Sequence, residues 1–112
     1  MSAPNACGVY EPQYTIELAR IGRSVASITI AQCQDGQFRY ATHLHYSYGG
    51  FSGPITDRSA GFASRRDAED AALGDLVRRF PQTNASDPTS VHAELKALRA
   101  RVEEVVRQPS LF

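Results

Sequence analysis

The chain has 112 residues, room for one domain with little left over. Its 12 basic and 12 acidic residues cancel, which weighs against a sequence-independent nucleic-acid binder, normally basic, and against a DNA mimic, normally acidic. An apolar fraction of 42% supplies a small core, while no stretch is apolar for the length a membrane span needs.

Residues 1–12 are punctuated by Pro, Asn and Gly and read as a loose segment. They lack the basic start and apolar run of a secretory signal. Cys7 and Cys33 have neither metal-ligand nor redox spacing, so reduced thiols in a cytoplasmic setting are expected. From Gln13 the period becomes two: Tyr14, Ile16 and Leu18 alternate with Thr15 and Glu17. Gly22-Arg23-Ser24 is a turn signal, and Ala26, Ile28 and Ile30 form one face of the next strand. Asp35-Gly36 marks a hairpin, after which Phe38, Tyr40, Leu44 and Tyr46 share a face, with Thr42 between them. Three strands joined by short turns predict an antiparallel meander. The run from Gly49 to Ala63 carries Gly49, Gly50, Gly53, Pro54 and Gly61, and is expected to be a long loop.

Ser64 is a good N-cap, acidic residues fill the next turns, and Arg78 and Arg79 stand at the far end, complementing a helix dipole. Ala68, Ala72, Leu73, Leu76, Val77 and Phe80 form the stripe that would lie on the sheet, and Pro81 stops the helix. After a polar linker, Asp87-Pro88 has the pattern of an N-cap and first helical position. The second helix places Val91, Leu95, Leu98, Val102 and Val105 at spacings of four and three, a short heptad seam. It can fold back on its own domain or pair with a second copy as a homodimer. The chain thus reads as an α+β protein: a three-stranded antiparallel meander packed by one helix, then a second C-terminal helix. Its segments are 1–12, a β-β-β-α unit over 13–80, a linker at 81–87, a helix over 88–107 and a tail at 108–112.

The tail, Gln108-Pro109-Ser110-Leu111-Phe112, resembles the short peptide by which bacterial replication and repair proteins bind the β sliding clamp. That pattern is Gln, Leu, Ser or Asp, Leu, Phe. Gln108, Ser110, Leu111 and Phe112 match, and Pro109 departs. Proline also disfavours helix at Gln108. The resemblance implies that Leu111 and Phe112 fill a hydrophobic groove, Gln108 bonds at its rim and Ser110 sets the backbone turn. It implies a non-catalytic adaptor or inhibitor in DNA replication or repair, with phage or mobile-element proteins as a natural home.

The helix start Ser64-Arg65-Arg66-Asp67-Ala68 is similar to the last helix of double-stranded-RNA-binding domains, whose basic pair grips phosphates. No helix precedes the first strand, and Glu69 stands where that family favours Lys. A nucleic-acid module for duplex or single strands would use Arg65 and Arg66, with Tyr46, Tyr48 and Phe51 as stacking surfaces. A third reading is a protein-directed inhibitor of a host defence or replication enzyme, of anti-CRISPR or anti-restriction type, blocking through the 49–63 loop and the second helix. His43 and His45 share a strand face, and Cys33 could approach them across the hairpin, but exposed or hydrogen-bonded histidines are the expectation. No Ser/His/Asp order, paired acids, metal signature or cofactor motif points to an enzyme.

Overall fold

A computed structural model of the chain describes residues 9–47, 49–56, 59–81 and 88–107. Its elements are β1 (Val9–Tyr10), β2 (Tyr14–Ile21), β3 (Ser24–Gln32), β4 (Phe38–Tyr46), β5 (Gly49–Phe51), β6 (Ile55–Thr56), α1 (Arg65–Arg79) and α2 (Thr89–Arg107). The mixed α+β architecture agrees with the sequence pattern. The meander β2-β3-β4 is present and antiparallel, with β5 added beyond β4. Gly36 accounts for the Asp35-Gly36 turn with φ 85°, and the turn closes through Gly36 N–H to Cys33 O at 2.9 Å.

Alternation sorts the sheet into two faces. Ala26, Ile28, Ile30 and Leu44 point toward the helices and join Ala68, Ala72, Leu73, Leu76 and Phe80 of the α1 region in one core. Ser64 caps α1 as expected, its Oγ accepting from Asp67 N–H at 3.1 Å. The other face of β3 and β4 is also covered at one end, where Ala31, Cys33 and Ala41 are buried with Tyr10 and Ile55. β3 is therefore apolar on both faces along its second half, as a central strand should be.

Two expectations are corrected, and one left open is decided. Residues 9 and 10 are not loose: they form β1, paired with β6, and Tyr10 is only 2% exposed. Its ring is the lid of the second core, a role the surrounding Pro and Glu concealed. The stretch from Gly49 to Ala63 is not wholly irregular, since it contributes β5 and β6. Gly49 and Gly50 take φ of 140° there, and a Cβ on Gly50 would lie 1.9 Å from Leu44 O. These glycines permit the strand rather than break it. Of the two readings of α2, the structure takes the first: the helix folds back on its own domain. Val91, Leu95, Leu98 and Val102 are buried in the chain's own core, and Val105 packs against it. The seam is spent on β2, β3 and α1, so it does not supply a homodimer interface.

Glu94 pins this helix to the sheet. Its carboxylate accepts from Ser24 Oγ, from Ser47 N–H at 2.9 Å and from Ser47 Oγ at 2.6 Å. Those hydrogen bonds, Ser24 first, hold the carboxyl below its usual value. At the other side of the molecule Arg39, 8% exposed, grips Asp35 through two hydrogen bonds of 3.1 Å and donates from Nε to Ser59 O at 3.0 Å. Asp35 raises the Arg39 pKa, and the fork ties the hairpin to the returning chain.

Candidate binding cleft at the interrupted edge strand

The fourth strand of the sheet is broken. β5 pairs with β4 as Tyr46↔Gly49 and Leu44↔Phe51. Continued at that register, Phe38 would face residue 57. It faces Phe62 instead, with hydrogen bonds of 2.8 and 2.9 Å in both directions. Five extra residues (62 less 57) fall in this interval, whose described residues 52–56 leave the ladder and cross the far face, where β6 meets β1.

The excursion takes the fourth strand away from part of β4, although Ala41 and Thr42 stay buried there. Phe38 and Leu44 turn their main-chain groups toward this edge, so by alternation Tyr40 and Thr42 do too. Among the described residues, no main-chain hydrogen bond reaches those two from the edge side. Their backbone borders a cleft of 380 Å³ whose walls include Phe51, Ser52, Asp75 and Arg79.

The walls are polar and cross-braced. Tyr40 Oη donates to Asp75 Oδ2 at 3.2 Å. Asp75 Oδ1 lies 3.1 Å from Arg78 Nη2 and 3.4 Å from Arg79 Nε. Burial, then the Asp75 charge, pushes the Tyr40 hydroxyl up, so it remains a neutral donor at pH 7. The Arg79 guanidinium sits 5.9 Å from the centre of the Phe51 ring. Below, Ser52 Oγ is 2.6 Å from His43 Nδ1, and His43 Nε2 is 2.9 Å from Thr29 Oγ1. Burial lowers the His43 pKa, which favours neutral imidazole and fits a donor on one nitrogen and an acceptor on the other. This chain of hydroxyl, imidazole and hydroxyl pins the point where residues 52–54 depart from β5.

The residues singled out for nucleic acid do not converge. Arg65 Nε is 3.1 Å from Glu69 Oε1, and its guanidinium stacks 4.5 Å over Tyr14 of β2. Glu69 is 3% exposed, its Oε1 lacks an aligned hydrogen bond, and burial drives its carboxyl upward. Arg66 is exposed on the same turn. Phe51 belongs to β5 at the opposite edge of the sheet, about 14 Å away at three strand spacings. Tyr46 and Phe51 pack against the main core rather than forming an open platform. Tyr48 and the tail residues Gln108, Ser110, Leu111 and Phe112 lie outside the described residues. Cys33 is buried in the second core away from His43, and no group of metal-ligating side chains forms among the described residues. Among the described residues, no helix is long and apolar enough to cross a membrane.

The sequence pattern missed the cleft because the register jump that makes it is a long-range property. Alternation puts Tyr40 on the face of Phe38 and Leu44, but it carries no sign that the hydroxyl reaches Asp75 of α1. One signal was present: Asp75 interrupts an apolar stripe and stands three and four residues before Arg78 and Arg79. No protein-family model matches the chain, and no curated protein or solved structure matches it either.

Proposed function

We propose that this chain is a small non-catalytic adaptor or inhibitor that binds the bacterial sliding clamp, in the cytoplasm, through Gln108, Ser110, Leu111 and Phe112. The observation that carries the reading is the match of those four residues to the clamp-binding pattern. Helix α2 adds support. Its seam is committed to the body as far as Val105, and the helix runs to Arg107, the residue directly before the motif. The body therefore acts as a rigid mount for a peptide that follows it. Burial of Leu111 and Phe112 in a preformed groove would contribute about 3–6 kcal/mol before ordering costs. The nucleic-acid alternative draws less support, since Arg65 is already paired with Glu69 and stacked on Tyr14.

The test is capture by purified clamp immobilised on a sensor surface. Wild-type protein should bind, and a variant with Leu111→Ala and Phe112→Ala should lose at least about tenfold in affinity while melting at the same temperature. Equal binding by both proteins, or none by the wild type, would overturn the reading.

A further inference from the structure

We propose that the pocket where the start of β2 meets the start of α1 binds a free α-amino acid with an apolar side chain, its ammonium on Glu69 and its carboxylate on Arg65. The inference is independent of the clamp reading. It rests on a buried carboxylate without an aligned donor, set beside a guanidinium and an outward-facing peptide group in one pocket.

The pocket measures 410 Å³ and is bordered by Gln13, Tyr14, Thr15, Ile16, Arg65 and Glu69, a size within the range of small-ligand sites. Its apolar part is on the α1 side of the sheet, where Ile16 packs against the main core and the exposed Tyr14 ring lies under Arg65. Glu69 stands one helical turn beyond Arg65. Its Oε1 is 3.1 Å from Arg65 Nε, yet that N–H is not aimed at it, and nothing else among the described residues donates to it. A buried acceptor in that state favours an incoming donor. Arg65 is the movable part, since its side chain is 39% exposed.

The peptide group of Thr15 adds a further donor and acceptor. Phe38 exchanges both main-chain hydrogen bonds with Phe62 on the β5 side, so by alternation Ala41 turns to β3 and meets Thr29. Ile28 then turns to β2 and meets Ile16, and Thr15 turns outward. The same count past the bulge turns Arg20 outward, and Arg101 Nη1 caps its carbonyl there at 2.9 Å. β2 is the end strand of the sheet, and Thr15 is exposed.

Charge decides the ligand. A simple cation would set a second positive charge against a carboxylate that Arg65 already faces, at the positive end of α1. A simple anion would approach Glu69 without giving it a donor. A zwitterion avoids both faults. Its ammonium donates to Glu69, and its carboxylate accepts from the Arg65 head and the Thr15 N–H. Arg65 thereby exchanges a poorly aligned contact for a charge-assisted one. The ligand side chain is left over Tyr14 and Ile16, so an apolar one is favoured.

The test is an amide NMR titration of the full chain with L-leucine. The signals of Tyr14, Thr15, Ile16, Arg65 and Glu69 should shift most, with a Kd of about 1 mM. N-acetyl-L-leucine lacks the ammonium and L-leucinamide lacks the carboxylate, and each should bind about tenfold more weakly. Glu69→Gln should bind leucine no better than wild type binds N-acetyl-leucine, and Arg65→Ala no better than wild type binds leucinamide. Both variants should fold, since one puts a neutral isostere where burial opposes charge and the other trims a part-exposed side chain; their melting temperatures check this. No shifts at about 10 mM leucine, equal binding of the three compounds, wild-type affinity in either variant, or shifts confined to other residues would each overturn the proposal.

Discussion

Replacing Glu94 by Ala removes the one carboxylate that joins α2 to the ends of β3 and β4. Three hydrogen bonds go with it, from Ser24 Oγ, Ser47 N–H and Ser47 Oγ. The losses are unequal. Ser24 is 6% exposed, so its hydroxyl is left in a dry site at a cost of about 1–3 kcal/mol. Ser47 is exposed and regains water, so its two bonds account for only about 0.5 kcal/mol each. The expected loss is roughly 2–4 kcal/mol, which for a chain of 112 residues lowers the melting temperature by roughly 10–15 °C. Urea denaturation at pH 7 measures the first quantity and calorimetry the second. The pH dependence supplies a sharper check. Glu94 titrates lower in the folded chain than when unfolded, so the unfolded state takes up the proton first. The contribution is therefore complete above pH 4.5 and is lost as pH falls through the lowered folded value. The gap between wild type and Glu94→Ala should be constant above that pH and close below it. A loss under about 0.5 kcal/mol at pH 7, within the range of ordinary surface changes, or a gap that does not narrow in acid, would refute the reasoning.

Further outcomes follow from the core, the edge and the imidazole. Leu98→Ala empties a fully buried position of the α2 seam and should cost about 2–5 kcal/mol. Because the seam is spent within one chain, the wild-type melting temperature should not change with protein concentration, whereas a dimer seam would make it rise. Gly50→Ala would drive a Cβ against the Leu44 carbonyl and should cost at least about 2 kcal/mol through strain and lost pairing with β4. Gly49→Ala, where nothing lies within 4 Å, should cost only the backbone strain, about 1 kcal/mol; equal effects at the two glycines would contradict the packing described. His43 is pushed below its ordinary 6.5 by burial, so its contribution is complete above pH 6.5 and is lost as pH falls through the folded value. Urea midpoints measured down that range should fall less steeply for His43→Asn than for wild type.

The elements that the sequence made legible are those set by local rules. The meander follows from period-two alternation and the Asp35-Gly36 turn, and α1 follows from its Ser64 cap and apolar stripe. The seam of α2 was also visible, but its partner was not. A heptad spacing states that a helix buries one stripe and is silent on whether the other surface belongs to the same chain. What the sequence concealed depends on distant pairing. Val9 and Tyr10 are strand because Ile55 and Thr56 lie opposite them, and two residues carry no period. Gly49 and Gly50 look like breakers until Leu44 is placed against them. The cleft is a difference between two registers, 44 with 51 and 38 with 62, and no window of sequence contains both. Arg65 shows the opposite failure: its place at a helix start was read correctly, but its pairing across to Tyr14 and within the helix to Glu69 redirects its charge.

The second core and the cleft are two consequences of one excursion, which couples stability to access. Residues 52–56 leave β4 and carry Ile55 beneath Ala31, Cys33 and Ala41, where Tyr10 closes the cluster. Had they stayed in the ladder, Tyr40 and Thr42 would be paired and the far face of β3 would lie bare. The apolar burial gained underneath is what keeps the excursion out of the ladder above. The hinge points are braced at both ends, by Ser52 on His43 and by Ser59 O on Arg39. Loosening the lower core should therefore change the upper edge. Tyr10→Ala removes the lid of that cluster at about 3–5 kcal/mol, and it frees residues 52–61 to re-register toward Thr42 and Tyr40. Hydrogen exchange at those two amides should then slow relative to their neighbours even as the protein as a whole becomes less stable. Global destabilisation alone speeds exchange everywhere, so slowing at only these two positions would be the mark of an edge closing.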